Sequence, residues 1–121
     1  MDYNKFEFVT ENSSISVSIP NHLEKQINKK SVNFYTIEVI DHFISKKWKI
    51  DKRYSEFKEL HNEINKLFVN CPKLPASTTR FAFISYDSTD TCRCNLEVYL
   101  KECMNRSDIS NSSQMVTFLE V

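Results

Sequence analysis

Residues 14–19 (Ser-Ile-Ser-Val-Ser-Ile) alternate polar and apolar positions, the period of a strand with one buried face, and Pro20 is expected to end it. Residues 21–31 are polar and rich in lysine, which predicts a loop. Residues 32–40 are β-branched and aromatic, with Tyr35, Ile37 and Val39 on one face, and predict a second strand. Residues 41–45 then form the hairpin connection, long because no glycine is present to make a two-residue turn. Residues 46–53 predict a third strand, with Trp48 and Ile50 on its core face and Lys47, Lys49 and Arg53 on the other.

The period changes after Arg53. Phe57, Leu60, His61, Ile64, Leu67 and Phe68 recur at helical spacing, so residues 55–69 predict an amphipathic helix. Ser55 is the expected N-cap, with Glu56 and Glu59 near the positive end of the helix dipole. Cys71-Pro72-Lys73-Leu74-Pro75 cannot continue the helix and reads as extended chain. Residues 76–90 carry aromatics without a firm period. A second helix is expected from about Thr91 to Met104, with Cys92, Leu96, Tyr99, Leu100 and Cys103 inward. A short last helix, capped by Ser112 or Ser113, turns Met115, Phe118 and Leu119 inward. Strands followed by helices give an α+β fold: a three-stranded antiparallel sheet packed against a helical subdomain with a proline-containing loop. The 121 residues suit a single domain spanning 1–121.

Charge adds a second pattern. The 16 Lys and Arg balance the 16 Asp and Glu overall, yet the balance is local only after Lys58. Residues 1–24 carry −3 (one cation against four anions), and residues 25–58 carry +5 (nine against four). Residues 59–101 are neutral, and residues 102–121 carry −2 (one against three). A basic stretch within a neutral chain suits a discrete anionic partner. It does not suit nucleic acid, whose affinity comes from neutralising many phosphates and asks for a basic domain.

Several chemistries are excluded. With no glycine in the chain, Walker A loops, dinucleotide turns, nucleophile elbows and EF-hand loops cannot be built. No nucleophile–base pair stands out, so no enzymatic activity and no cofactor is expected. Met1-Asp2 is not followed by an apolar run, so no signal peptide is expected, and a cytosolic setting implies reduced thiols at Cys71, Cys92, Cys94 and Cys103. Their spacing lacks the paired CxxC of a zinc knuckle, so no metal site is expected.

The run Lys52-Arg53-Tyr54-Ser55-Glu56-Phe57-Lys58-Glu59-Leu60-His61 resembles the signature of the PX (phox-homology) family, a basic-Arg-Tyr-Ser/Thr-x-Phe-x-x-Leu-His segment joining the third strand to the first helix. Leu74-Pro75 falls where that family has its proline-rich loop. Leu96-Glu97-x-Tyr99-Leu100 resembles its second long helix, and Phe118-Leu119 its closing one. The family's sheet-plus-helices fold agrees with the periodicities.

The resemblance implies a non-catalytic phosphoinositide-binding module of sorting-nexin type, most often for phosphatidylinositol 3-phosphate. It implies a peripheral protein on endosomal or vacuolar membranes. Arg53 would hold the 3-phosphate by bidentate, charge-assisted hydrogen bonds, and Tyr54 would stack beneath the inositol ring. Ser55, Lys73, Ser77, Arg80 and Arg93 complete the expected headgroup site. Two positions depart from the family. Ser77 stands where a lysine usually meets the 1-phosphate, and Cys92 stands where an arginine usually meets the ring hydroxyls, with Arg93 one place along. Phe81, Phe83 and Ile84 fall on the loop that would enter the bilayer. The rival expectation is a PX-fold protein-interaction module whose lipid pocket has decayed.

Overall fold

Ile15, Val17 and Ile19 are buried on alternate positions of the first strand, as the sequence period requires. In the computed structural model, which describes residues 14–77 and 88–121, that strand does not stop at Pro20. β1 runs Ile15–Ile27, β2 Lys30–Asp41 and β3 Lys46–Arg53. They form one antiparallel sheet in the order β1-β2-β3. Ser18 pairs with Glu38 and Asn21 with Thr36, so β1 spends one more residue than β2 across Ile19-Pro20. Pro20 therefore sits in a bulge on an edge strand, where its missing N–H costs no ladder bond.

The polar stretch expected as a loop is strand on both sides of a tight turn. Residues 21–27 pair with Thr36 through Lys30, and only Asn28 and Lys29 connect them. Both have positive φ, 52° and 66°, the backbone of a type I′ hairpin turn made here without glycine. The reason for the polar sequence lies in the register. β3 ends at Arg53, opposite Phe34, so among the described residues the hairpin beyond Phe34 has no third strand. It is a two-stranded ribbon that overhangs the sheet, and most of its residues are exposed. With most of its residues exposed it needs no hydrophobic alternation.

The remainder of the sheet follows the expectation. Tyr35, Ile37 and Val39 are buried on β2 and Ile50 on β3, with Trp48 packed against them. His42–Ser45 make the longer β2–β3 connection. The carboxylate of Asp41 accepts the backbone N–H groups of Phe43 (3.0 Å) and Ile44 (3.4 Å).

Helix α1 covers Tyr54–Leu67 and begins without any linker after β3. Its N-cap is Arg53, not Ser55, which lies exposed in the first turn. The Glu56 carboxylate reaches back to accept the Arg53 backbone N–H at 3.0 Å, the half of a capping box that the third helical residue supplies. Phe57, Leu60 and Ile64 face the core. Helix α2 covers Ser88–Met104, starting earlier than expected, and buries Cys92, Leu96, Tyr99, Leu100 and Cys103. A single turn, α3 (Ser107–Ser110), precedes α4 (Ser113–Leu119). The hydroxyl of Ser112 caps α4 by accepting the Met115 N–H at 3.2 Å. Trp48 donates its indole N–H to the Leu119 carbonyl at 2.9 Å, fixing α4 to β3. Among the described residues no helix is long and apolar enough to cross a membrane.

Candidate functional site

The junction of β3 and α1 sets the position of Arg53. A strand that turns into a helix in one residue leaves that residue with extended backbone (φ −89°, ψ 164°). Its side chain then stands beside the first-turn N–H groups, the positive end of the helix dipole. Arg53 is half-buried, and its guanidinium makes no hydrogen bond or ion pair with any described residue. The neighbouring Lys52 is instead committed to protein contacts. Its ammonium lies 3.7 Å from Glu56 and 5.0 Å above the Phe118 ring.

Tyr54 anchors the junction to the proline loop. Its ring packs against the hydrophobic core, and its hydroxyl donates to the Pro75 carbonyl at 2.6 Å. Burial, followed by the nearby Cys92 thiol, holds the phenol above its ordinary pKa, so it remains a neutral donor. Cys92 secures the same loop from α2, with its thiol directed at the Ala76 carbonyl (3.9 Å). Leu74–Ser77 is thus tied to the start of α1 on one side and to the first turns of α2 on the other. Three sequence-distant segments that carry expected headgroup residues meet here. Within them Lys73 is exposed and Ser77 half-buried.

Arg93 has other engagements. It donates to the Ile19 carbonyl at 2.6 Å, to Asp90 at 2.9 Å and toward the Cys94 sulfur at 3.2 Å. Glu97, one helical turn on, accepts the Ile19 N–H at 2.6 Å. Together the two side chains clamp both backbone groups of the residue beside Pro20, where the bulge removes ladder partners. Arg80, Phe81, Phe83 and Ile84 lie outside the described residues.

The register also places cations that the loop reading of residues 21–31 did not put near Arg53. Leu23, Phe34 and Arg53 form one row across the sheet, and the ribbon carrying Lys25, Lys29 and Lys30 continues past it. Lys25 sits 4.5 Å over the Phe34 ring and 3.2 Å from Asp51. Lys29 and Lys30 are exposed. Part of the local charge of +5 over residues 25–58 belongs to this grouping, since that stretch includes the ribbon and Arg53, while Lys46 and Lys47 lie at the other end of β3.

Among the described residues no group of three or more His, Cys, Asp or Glu is arranged to hold a metal. The four cysteines are free thiols, with Cys94 exposed and Cys92 and Cys103 buried. His61 hydrogen-bonds the Tyr99 hydroxyl at 3.0 Å and serves packing between α1 and α2.

Comparison with known proteins agrees with this architecture. The family model of the PX domain matches residues 40–121. A protein named as a probable serine/threonine-protein kinase of Dictyostelium discoideum is 28% identical over 87 residues, 70% of this chain and 4% of that protein. The chain therefore spans a small part of that relative's length. A designed CISK-PX domain superposes with a TM-score of 0.78 at 23% identity, covering 88% of this chain and 99% of that one. The mouse SNX19 PX domain with bound sulphate ion gives 0.70 at 18% identity, covering 88% and 97%. These two likenesses are of fold.

Proposed function

This chain belongs to the PX domain family, whose members are phosphoinositide-binding modules and generally non-catalytic, and from that membership we propose that residues 1–121 form one domain that recognises phosphatidylinositol 3-phosphate. In this reading it brings its protein to endosomal or vacuolar membranes as a peripheral component. The observation that carries the proposal is Arg53: a half-buried guanidinium with no partner among the described residues, at the N-terminus of α1. A phosphate there receives bidentate hydrogen bonds from the guanidinium and the favourable end of the helix dipole. The sulphate ion bound by the mouse SNX19 PX domain is the same kind of tetrahedral anion.

Around that contact the remaining roles follow from chemistry. Tyr54, fixed by its hydrogen bond to Pro75, offers a ring for the inositol to rest on. Ser55 and Ser77 supply hydroxyl donors, and Lys73 and Arg80 supply charge for the 1-phosphate in place of a lysine at position 77. Arg93 retains only part of its donor set for the ring hydroxyls, since Ile19 and Asp90 take the rest, and the buried Cys92 offers no cation. Lys25, Lys29 and Lys30 add long-range attraction to an anionic surface, and Phe81, Phe83 and Ile84 supply apolar area for insertion. With fewer fixed cations around the ring, discrimination among monophosphorylated inositides is expected to be modest.

Liposome sedimentation across the phosphoinositides tests this reading. Saturable binding to phosphatidylinositol 3-phosphate vesicles, lost in Arg53→Ala, is the expected result. Ser77 and Cys92 at usual cationic positions favour the second reading, a PX-fold protein-interaction module. Absence of binding to every phosphoinositide would select it.

A further inference from the structure

Glu56, Glu59 and Glu63 follow i, i+3, i+7 spacing on α1, so their side chains form one stripe. Tyr54 is nine positions from Glu63, which is half a turn around the helix. The carboxylate stripe therefore lies on the flank opposite the one tied to Pro75. On that flank α1 does not close fully against α4, and a groove of about 380 Å³ runs between them. Leu60 and Phe118 form its apolar floor, each more than nine-tenths buried. The three glutamates make one wall, and uncharged Ser113, Gln114 and Thr117 the other.

The charge in the groove is unbalanced. Lys52 neutralises Glu56 at one end. Glu63 meets Lys66 at 3.9 Å, but both side chains are mostly exposed, and such a pair holds weakly. Glu59 has no ion-pair or hydrogen-bond partner among the described residues. Leu67, seven positions after Leu60 and 58% exposed, extends the apolar line past the groove. An apolar floor with an acidic wall is repelled by anionic membrane and by acidic chain.

We propose that this groove docks a basic amphipathic segment of a partner protein. Its apolar side chains rest on Leu60 and Phe118, and its Lys or Arg side chains face Glu59 and Glu63. The volume admits one or two apolar anchors, the form that groove recognition commonly takes. Because the stripe and Tyr54 lie on opposite flanks of α1, partner and lipid occupy the domain together, and the proposal stands without the lipid reading.

The test is fluorescence anisotropy with three labelled synthetic peptides of equal length and one apolar pattern, carrying Lys, Gln or Glu at the polar positions. The 121-residue chain is expected to bind the Lys peptide most tightly and the Glu peptide least. Glu59→Lys with Glu63→Lys should weaken the Lys peptide about tenfold or more and reverse the order. Thr117→Trp, which fills the groove from α4, should remove binding of every peptide. Both variants keep the wild-type melting temperature. Three results would overturn the proposal: no binding of the Lys peptide, Lys-peptide binding unaffected by Thr117→Trp, or a peptide-free dimer that Thr117→Trp dissociates, which would give the groove to a second copy.

Discussion

Replacing Arg53 by alanine separates a ligand-facing charge from a structural one, and Arg93 provides the internal control. The Arg53 guanidinium makes no hydrogen bond or ion pair with a described residue, and the capping bond at the start of α1 uses its backbone N–H, which alanine retains. Arg53→Ala is therefore expected to change stability by no more than about 0.5 kcal/mol. Truncating one member of a desolvated, hydrogen-bonded charge pair costs ~2–5 kcal/mol in binding, a loss of roughly 30-fold to several thousand-fold. Arg93→Ala acts chiefly on the fold, with a smaller loss of contact to the ring hydroxyls. It removes the 2.6 Å bond to the Ile19 carbonyl, and a part-buried acceptor left unpaired costs about 1–3 kcal/mol. At about 4 °C per kcal/mol for a domain of this size, the melting temperature should fall by ~4–12 °C. The exposed Asp90 adds nothing to that figure. Sedimentation with phosphatidylinositol 3-phosphate liposomes and calorimetric melting on the same preparations read both effects. If Arg53→Ala lowers the melting temperature as far as Arg93→Ala, or leaves lipid binding unchanged, the assignment of Arg53 to the phosphate is refuted.

Phe81→Ala with Phe83→Ala should weaken liposome binding more than binding of a soluble headgroup, since two buried phenylalanines contribute about 3–6 kcal/mol; raised salt should then sharply reduce what remains, because only screened charge is left. Equal loss of headgroup affinity and melting temperature would assign those rings to the core. Lys29→Gly should raise stability by about 0.5–1 kcal/mol, visible as a shifted denaturation midpoint, because glycine adopts the positive φ of a type I′ turn without the side-chain clash; a lowered midpoint would contradict the turn geometry. Burial pushes the Cys103 thiol up to about 12 from 9.0. The unfolded chain then loses this proton near pH 9 while the folded chain keeps it, so stability should fall as pH rises from about 9 to 12. Melting curves of Cys103→Ala across that range should show a shallower decline, and an unchanged slope would mean the thiol titrates normally.

Much of this protein is set locally. Tyr35, Ile37 and Val39 announce β2, and Phe57, Leu60 and Ile64 announce α1, because an element with one buried face must repeat its apolar residues at its own period. The run from Lys52 to His61 likewise carries its family resemblance in consecutive residues. Ser112 caps α4 as an ordinary hydroxyl cap. Wherever an element leaves the core or a partner comes from far along the chain, the sequence is silent. The ribbon around Asn28-Lys29 is exposed among the described residues, so no period marks it, and its polar residues resemble a loop until the pairing of β1 with β2 shows them as strand. Pro20 breaks a strand in the interior of a sheet but not at an edge bulge, and edge position is a property of strand order. The backbone N–H of Arg53 finds Glu56 only because β3 runs into α1 without a linker, which displaces the cap from Ser55. Arg93 is claimed by Ile19, 74 residues away, and the groove beside Glu59 exists only where α4 packs against α1. Periodicity records how each segment meets the interior as a whole, whereas these contacts depend on which segments meet each other, and that is decided when the chain closes around its core.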